Sequence, residues 1–77
     1  MRYQRETLRH VIMRALKRNT FTAQEPIEVV IKDGAVWLHG TVSDEDLIAE
    51  AVATVEATVP QLYVYSRLRV RRPAVGA

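Results

Sequence analysis

The sequence contains no cysteine, which excludes disulfide bonds, thiolate nucleophiles and cysteine-ligated zinc sites. It has only two histidines, His10 and His39, in different predicted elements. A histidine-rich metal site and a serine–histidine–acid arrangement are therefore not expected. The three glycines, Gly34, Gly40 and Gly76, stand alone, so the chain has no glycine loop that could hold a phosphate. We expect a protein that is not an enzyme, with no catalytic residues, no cofactor and no metal.

Long apolar runs are also missing. No stretch approaches the roughly 18 apolar residues that a membrane-spanning helix needs. The N-terminal region is basic, but Arg9, His10, Arg14 and Lys17 interrupt its apolar residues, which is not the pattern of a secretory signal. The expected location is therefore cytoplasmic if the chain is full-length, and periplasmic or envelope if it is a fragment of an exported protein.

The composition of the 77 residues is that of one small globular domain, with 48% hydrophobic and 26% charged residues. The net charge of +2 divides into +5 over residues 1–20, −7 over residues 21–60 and +4 over residues 61–77. This division favours contact with an anionic surface or with copies of the same protein. Solvated faces of a small domain produce the same pattern.

Hydrophobic periodicity predicts two helices and three strands. Leu8, Ile12, Ala15 and Leu16 recur at helical spacing and predict a first helix over residues 5–19. Alternating apolar and polar residues predict the strands, over residues 27–32, 35–42 and 62–71. The order αββαβ predicts an α+β fold in which a three-stranded mixed sheet carries both helices on one face. The second and third strands should be joined by a right-handed parallel crossover.

Two short segments connect these elements. Asp33-Gly34 between the first two strands is typical of a type I′ hairpin turn, which needs positive φ at both positions. Ser43 is the predicted N-cap of the second helix, with Asp46 three residues later in a pattern similar to a capping box. The acids at 44–46 would also suit a metal, but consecutive residues point in different directions, so capping is favoured. Pro60 is expected to end this helix.

The stretch VWLHGTVSDEDLIAEAVATVE, which follows IEVVIKDG, resembles the BON domain family. The matching residues are Gly34, Val36, Leu38, Gly40 and Val42, then Val64, Leu68 and Val70 in the last strand and the apolar residues of the first helix. The resemblance covers residues 5–70 and implies a binding module for phospholipid membranes or for association of envelope proteins. We expect a BON-like domain over residues 1–72 and a flexible C-terminal tail over residues 73–77.

Gly40 falls on the inward side of the second strand. Glycine at such a position usually makes room for a neighbouring element, and we expect a helix to cross the strand close to its backbone there. The alternative is that Gly40 lets a partner approach the backbone.

The outward residues of the predicted sheet include an unusual share of aromatic and basic side chains. If the helices cover one face, the opposite face carries Val30 and the six predicted binding residues, namely Trp37, His39, Tyr63, Tyr65, Arg67 and Arg69. Trp, Tyr and Arg are enriched at protein interfaces, and exposed apolar patches usually mark such sites. A scatter of singly exposed aromatic residues remains the alternative interpretation.

Three kinds of partner suit this face. Another copy or a different protein is favoured first, so that the protein would act through association. Anionic phospholipid is second, with Trp and Tyr at headgroup level and arginines near the phosphates. Single-stranded nucleic acid is third, because Glu28 on the same face would repel phosphate and the motifs of common RNA-binding domains are missing.

Overall fold

The computed structural model describes residues 5–71, with side chains from residue 7 onward. The elements are α1 (Arg5–Arg18), β1 (Ile27–Lys32), β2 (Ala35–Val42), α2 (Asp46–Thr58) and β3 (Tyr63–Val70). The predicted αββαβ order and α+β class are confirmed. The predicted tail over residues 73–77 lies outside the described residues. Within the described part of the chain, neither helix is long and apolar enough to cross a membrane.

The sheet has the strand order β1-β2-β3, with β2 in the centre. β1 pairs with β2 in the antiparallel sense, and β3 pairs with β2 in the parallel sense. The hairpin between β1 and β2 turns at Asp33 and Gly34, whose φ angles are 54° and 74°. Positive φ at both positions is the condition for a type I′ turn, so the predicted turn chemistry is confirmed.

Both helices pack against the same face of the sheet. The core consists of residues that are almost completely buried, contributed by α1 (Ile12, Leu16), β1 (Ile27, Val29), β2 (Val36, Leu38, Val42), α2 (Ala51, Val55), β3 (Leu68) and the residue after α2 (Val59). β3 contributes least, since Leu68 is its one buried residue and Val70 is 39% exposed. Within residues 5–71, no helix packs on the other face of the sheet, which leaves that face open to solvent or to a partner.

The start of α2 differs from the prediction. The helix begins at Asp46, and its N-cap position is Glu45, which makes no capping hydrogen bond through its side chain. Ser43 is not the cap, because its amide and its hydroxyl both donate to the Glu25 carboxylate, at 3.0 and 3.1 Å. The same carboxylate lies 3.9 Å from the guanidinium of Arg71. Ser43 therefore joins the loop before α2 to the loop before β1.

A second polar contact joins the two helices. The Asn19 side-chain amide, just after α1, donates to Glu50 Oε2 and to Thr54 Oγ1, each at 2.8 Å. Its amide oxygen accepts a hydrogen bond from the Phe21 backbone N–H at 2.8 Å. Asn19 thus ends α1 and anchors it to α2, which fixes how the two helices lie on the sheet.

Gly40 is needed for a reason other than the predicted one. Its φ is 121°, and a Cβ atom added there would overlap the carbonyl oxygen of Pro26 and lie 3.5 Å from the Cα of Ile27. The predicted crossing helix is therefore wrong: the close neighbour is the backbone that enters β1. Gly40 is itself exposed, although Val36, Leu38 and Val42 on the same side of β2 are buried as predicted.

We expect Gly40→Ala to lower the free energy of unfolding by on the order of 2 to 4 kcal/mol, because it combines an unfavourable backbone conformation with an overlap that only a backbone shift relieves. Gly34→Ala is the matched control, since Gly34 also has positive φ but has open space around its Cβ position. It should cost only about 1 to 2 kcal/mol. Urea unfolding of both variants provides the comparison, and equal losses would contradict the role assigned to Pro26.

Candidate functional site

The register of the sheet arranges the side chains opposite the helices in rows. Val30, Trp37 and Tyr65 pair across the three strands and form one row. The row toward the hairpin consists of Lys32, Ala35 and Tyr63, and the row on the other side consists of Glu28, His39 and Arg67. We call these nine residues the outer face. Its central row is apolar and aromatic, whereas the rows on either side of it carry the charged residues, Lys32 toward the hairpin and Glu28 and Arg67 away from it.

Trp37 lies at the centre of the outer face with an aromatic and a cationic neighbour. Its ring stacks on Tyr65, with a centroid distance of 4.7 Å and an interplanar angle of 27°. The guanidinium carbon of Arg67 lies over the Trp37 ring, 5.4 Å from the centroid. A stacked aromatic pair contributes about 0.5 to 1.5 kcal/mol, and an exposed cation–π contact contributes about 0.5 to 1 kcal/mol. The three side chains therefore restrain one another before any partner arrives.

The outer face exposes much of its apolar surface. Tyr63 is 74% exposed and Tyr65 is 47% exposed, while Trp37 and His39 are half-buried. Together they surround an open depression of about 820 Å³ that continues to the hairpin. A contiguous apolar patch of this kind on a small domain is typical of a contact surface.

Five of the six predicted binding residues line this depression, namely Trp37, His39, Tyr63, Tyr65 and Arg67. Arg69 does not line it, because it lies one row further along β3, opposite Thr41. The depression also includes Lys32, Asp33 and Ala35, which sequence reasoning missed. The period-two alternation of the strands places Lys32 and Ala35 on the side of Trp37, so the signal for those two was present. The binding role of all these residues stays a prediction.

The charges of the outer face lie on its two edges. Glu28 and Lys32 stand on β1, whereas Arg67 stands on β3, on the far side of His39 from Glu28. Among the side chains that the structure describes, the salt bridge within 4 Å is between Arg71 and Glu25, away from this face. Glu28 and Arg67 are both exposed, so both are available to charges on a partner.

A second surface feature lies on α1. His10, Arg14 and Arg18 flank Val11, which is 40% exposed, and with Thr58 of α2 they border a groove of about 510 Å³. The basic N-terminal region was recognised in the sequence, but this groove was not, because it depends on where α2 ends against α1. Basic side chains around an exposed apolar residue suit an anionic surface.

Comparison with known families agrees with the fold. The family model described as BON domain matches residues 4–72 of the chain, which confirms the resemblance read from the sequence. No curated protein matches the chain significantly.

Trp37 is the single tryptophan of the chain, so its fluorescence reports on the outer face alone. We expect Tyr65→Ala to shift its emission to longer wavelength and to increase quenching by acrylamide, because the ring loses its stacking partner and gains water contact. Phe21→Ala, which removes a 65% exposed aromatic ring in the α1–β1 loop, should leave both unchanged. Both measurements use dilute protein, so that self-association does not alter the emission or the quenching of Trp37. Unchanged emission in Tyr65→Ala would contradict the stacked arrangement.

Proposed function

We propose, since the chain belongs to the BON domain family of binding modules, that it associates with another protein through the outer face. The observation that carries the proposal is the cluster at the centre of this face, in which the half-buried Trp37 contacts the exposed side chains of Tyr65 and Arg67. These residue types contribute most of the binding energy at many protein interfaces when water is excluded from them. The partner is a second copy or a different chain.

The charge around the cluster favours a protein over a polyanion. The rim carries both signs, because Asp33 follows Lys32 at the hairpin while Glu28 and Arg67 occupy opposite edges of the sheet. A phosphate surface would be attracted by one part of this rim and repelled by the other. A protein surface can present complementary charges to both parts, which supports specificity and orientation.

The restrained geometry of the cluster supports binding as well. Side chains that are already ordered lose less conformational entropy when a partner covers them. Trp37 is held by Tyr65 on one side and by Arg67 above, so a partner would meet a surface close to its bound form. In a domain of 77 residues, burial of this surface would also raise stability by mass action.

Site-specific photocrosslinking tests this proposal. A benzophenone amino acid at position 63 reaches the outer face without disturbing the stacked pair, because Tyr63 is 74% exposed. The matched control is the same amino acid at position 21, where Phe21 is 65% exposed but lies outside the face. We expect a discrete protein adduct from position 63 in cells, identified by mass spectrometry, which Trp37→Ala abolishes. Equal adducts from both positions, or adducts with lipid alone, would contradict it.

Binding to anionic phospholipid is a second candidate, and the basic groove of α1 is the observation that favours it. Arg14 and Arg18 could contact headgroup phosphates while Val11 enters the interface between headgroups and chains. This surface lies on the helices, on the other side of the molecule from the outer face.

We expect any such binding to require anionic lipid and to weaken between low and physiological salt, because screening acts on exposed charges. Flotation with neutral and anionic vesicles measures it. Arg14→Glu/Arg18→Glu should abolish flotation, whereas Arg67→Glu on the outer face should not. The emission of Trp37 should stay constant if lipid docks on α1. Equal binding to neutral and anionic vesicles would remove the electrostatic explanation.

A further inference from the structure

We infer that the occupant of the outer face is a second copy of this chain, packed face to face about a two-fold axis that runs parallel to β2. The inference rests on the proposed function and names its partner. It follows from the positions of the aromatic and charged residues in the rows of the sheet, because a two-fold rotation brings aromatic residues opposite aromatic or apolar ones and opposite charges together.

The apolar rows match first. A two-fold axis along the central strand keeps each row in place but exchanges the edges, so that β1 of one copy lies opposite β3 of the other. Trp37 then faces Trp37 of the second copy, and Val30 faces Tyr65 of the second copy. In the row nearest the hairpin, Lys32 faces the 74% exposed ring of Tyr63 of the second copy, a suitable pair for a cation–π contact.

The charged row matches under the same operation. Glu28 and Arg67 belong to one row and occupy opposite edges of the sheet, with His39 between them. The axis therefore places Glu28 of each copy opposite Arg67 of the other, which gives two equivalent ion pairs at the rim. Arg67 already lies over Trp37, so its position is restrained before the copies meet.

A two-fold axis across the strands is the other symmetric arrangement. Placed through the central row, it keeps the edges in place and exchanges the two outer rows, so Glu28 would lie opposite Lys32 of the second copy and Arg67 opposite Tyr63. The two arrangements therefore differ in the partner of Glu28. We assign Arg67, because a guanidinium can bind a carboxylate through two hydrogen bonds and this one is already restrained over Trp37. Charge reversal at positions 28 and 67 distinguishes the two arrangements.

The area of the face sets the strength of the contact. Three strands about 4.8 Å apart, with about 3.3 Å per residue over the length of β2, cover roughly 350 to 500 Å² per copy. A standard protein interface buries about 800 Å² per partner. We therefore expect a weak dimer in rapid exchange, with a dissociation constant of roughly 10 to 500 μM.

Charge reversal in trans provides the test. Glu28→Arg and Arg67→Glu each convert both ion pairs into like-charge contacts, so each variant alone should dimerise at least about tenfold more weakly than the wild type. An equimolar mixture of the two variants restores both pairs, because Arg at 28 in one chain meets Glu at 67 in the other and the remaining pair is native. Sedimentation equilibrium between 10 μM and 1 mM measures all three samples and the wild type.

The controls separate charge from folding. Glu56→Arg changes the same charge on the exposed side of α2, away from the outer face, and should dimerise like the wild type. Thermal melts show whether Glu28→Arg or Arg67→Glu has lost its fold. If one has, the double variant Glu28→Arg/Arg67→Glu replaces the mixture, because both pairs are then present with reversed sign.

A wild-type dimer that both single variants weaken and the mixture restores would establish the inference. A wild-type protein that stays monomeric at 1 mM would overturn it, and so would a dimer that the mixture does not restore. If the wild type stays monomeric but the crosslinker at position 63 captures a different protein, the proposed function stands and only the dimer is overturned. If the wild type forms no dimer and the crosslinker captures no protein, the dimer and the proposed function are both overturned.

Discussion

The pairing of β2 with both of its neighbours is the constraint on which the rest of the structure depends. Because side chains alternate along a strand, a single register decides that Val36, Leu38 and Val42 enter the core while Trp37 and His39 face outward. A slip of one residue would exchange the two sets and place a tryptophan among the helices. The structure holds this register at both ends of the hairpin. The type I′ turn sets it at Asp33-Gly34, and the close approach of Gly40 to Pro26 sets it where β1 begins.

The two helices within residues 5–71 both lie on the same face of the sheet. Small domains bury a smaller fraction of their surface than large ones, so an uncovered sheet face is an expected consequence of the size. The composition of that face is less expected, since a face that only meets water would not need a tryptophan that stacks on Tyr65 and lies under the guanidinium of Arg67. This composition supports the proposal that a partner covers the face.

Polar contacts position the elements around this core. Asn19 joins the two helices through Glu50 and Thr54, while Glu25 joins Ser43 and Arg71 at the end of the sheet remote from the hairpin. Hydrogen bonds of this kind contribute modestly to stability, about 0.5 to 1.5 kcal/mol each, but they require specific geometry. They fix where α1 and α2 lie, and with them the border of the basic groove on α1.

The sequence by itself determined the elements, the hairpin turn and the division of each strand into an inward and an outward side. These features follow from local periodicity and from turn chemistry, which neighbouring residues specify. Tertiary structure alone decided the features that involve residues far apart in the chain. Ser43 resembles a helix cap locally but binds Glu25, and Gly40 makes room for Pro26, which only strand pairing brings near. The row of Val30, Trp37 and Tyr65 depends on the parallel register of β3, which packing of α2 sets and no local pattern encodes.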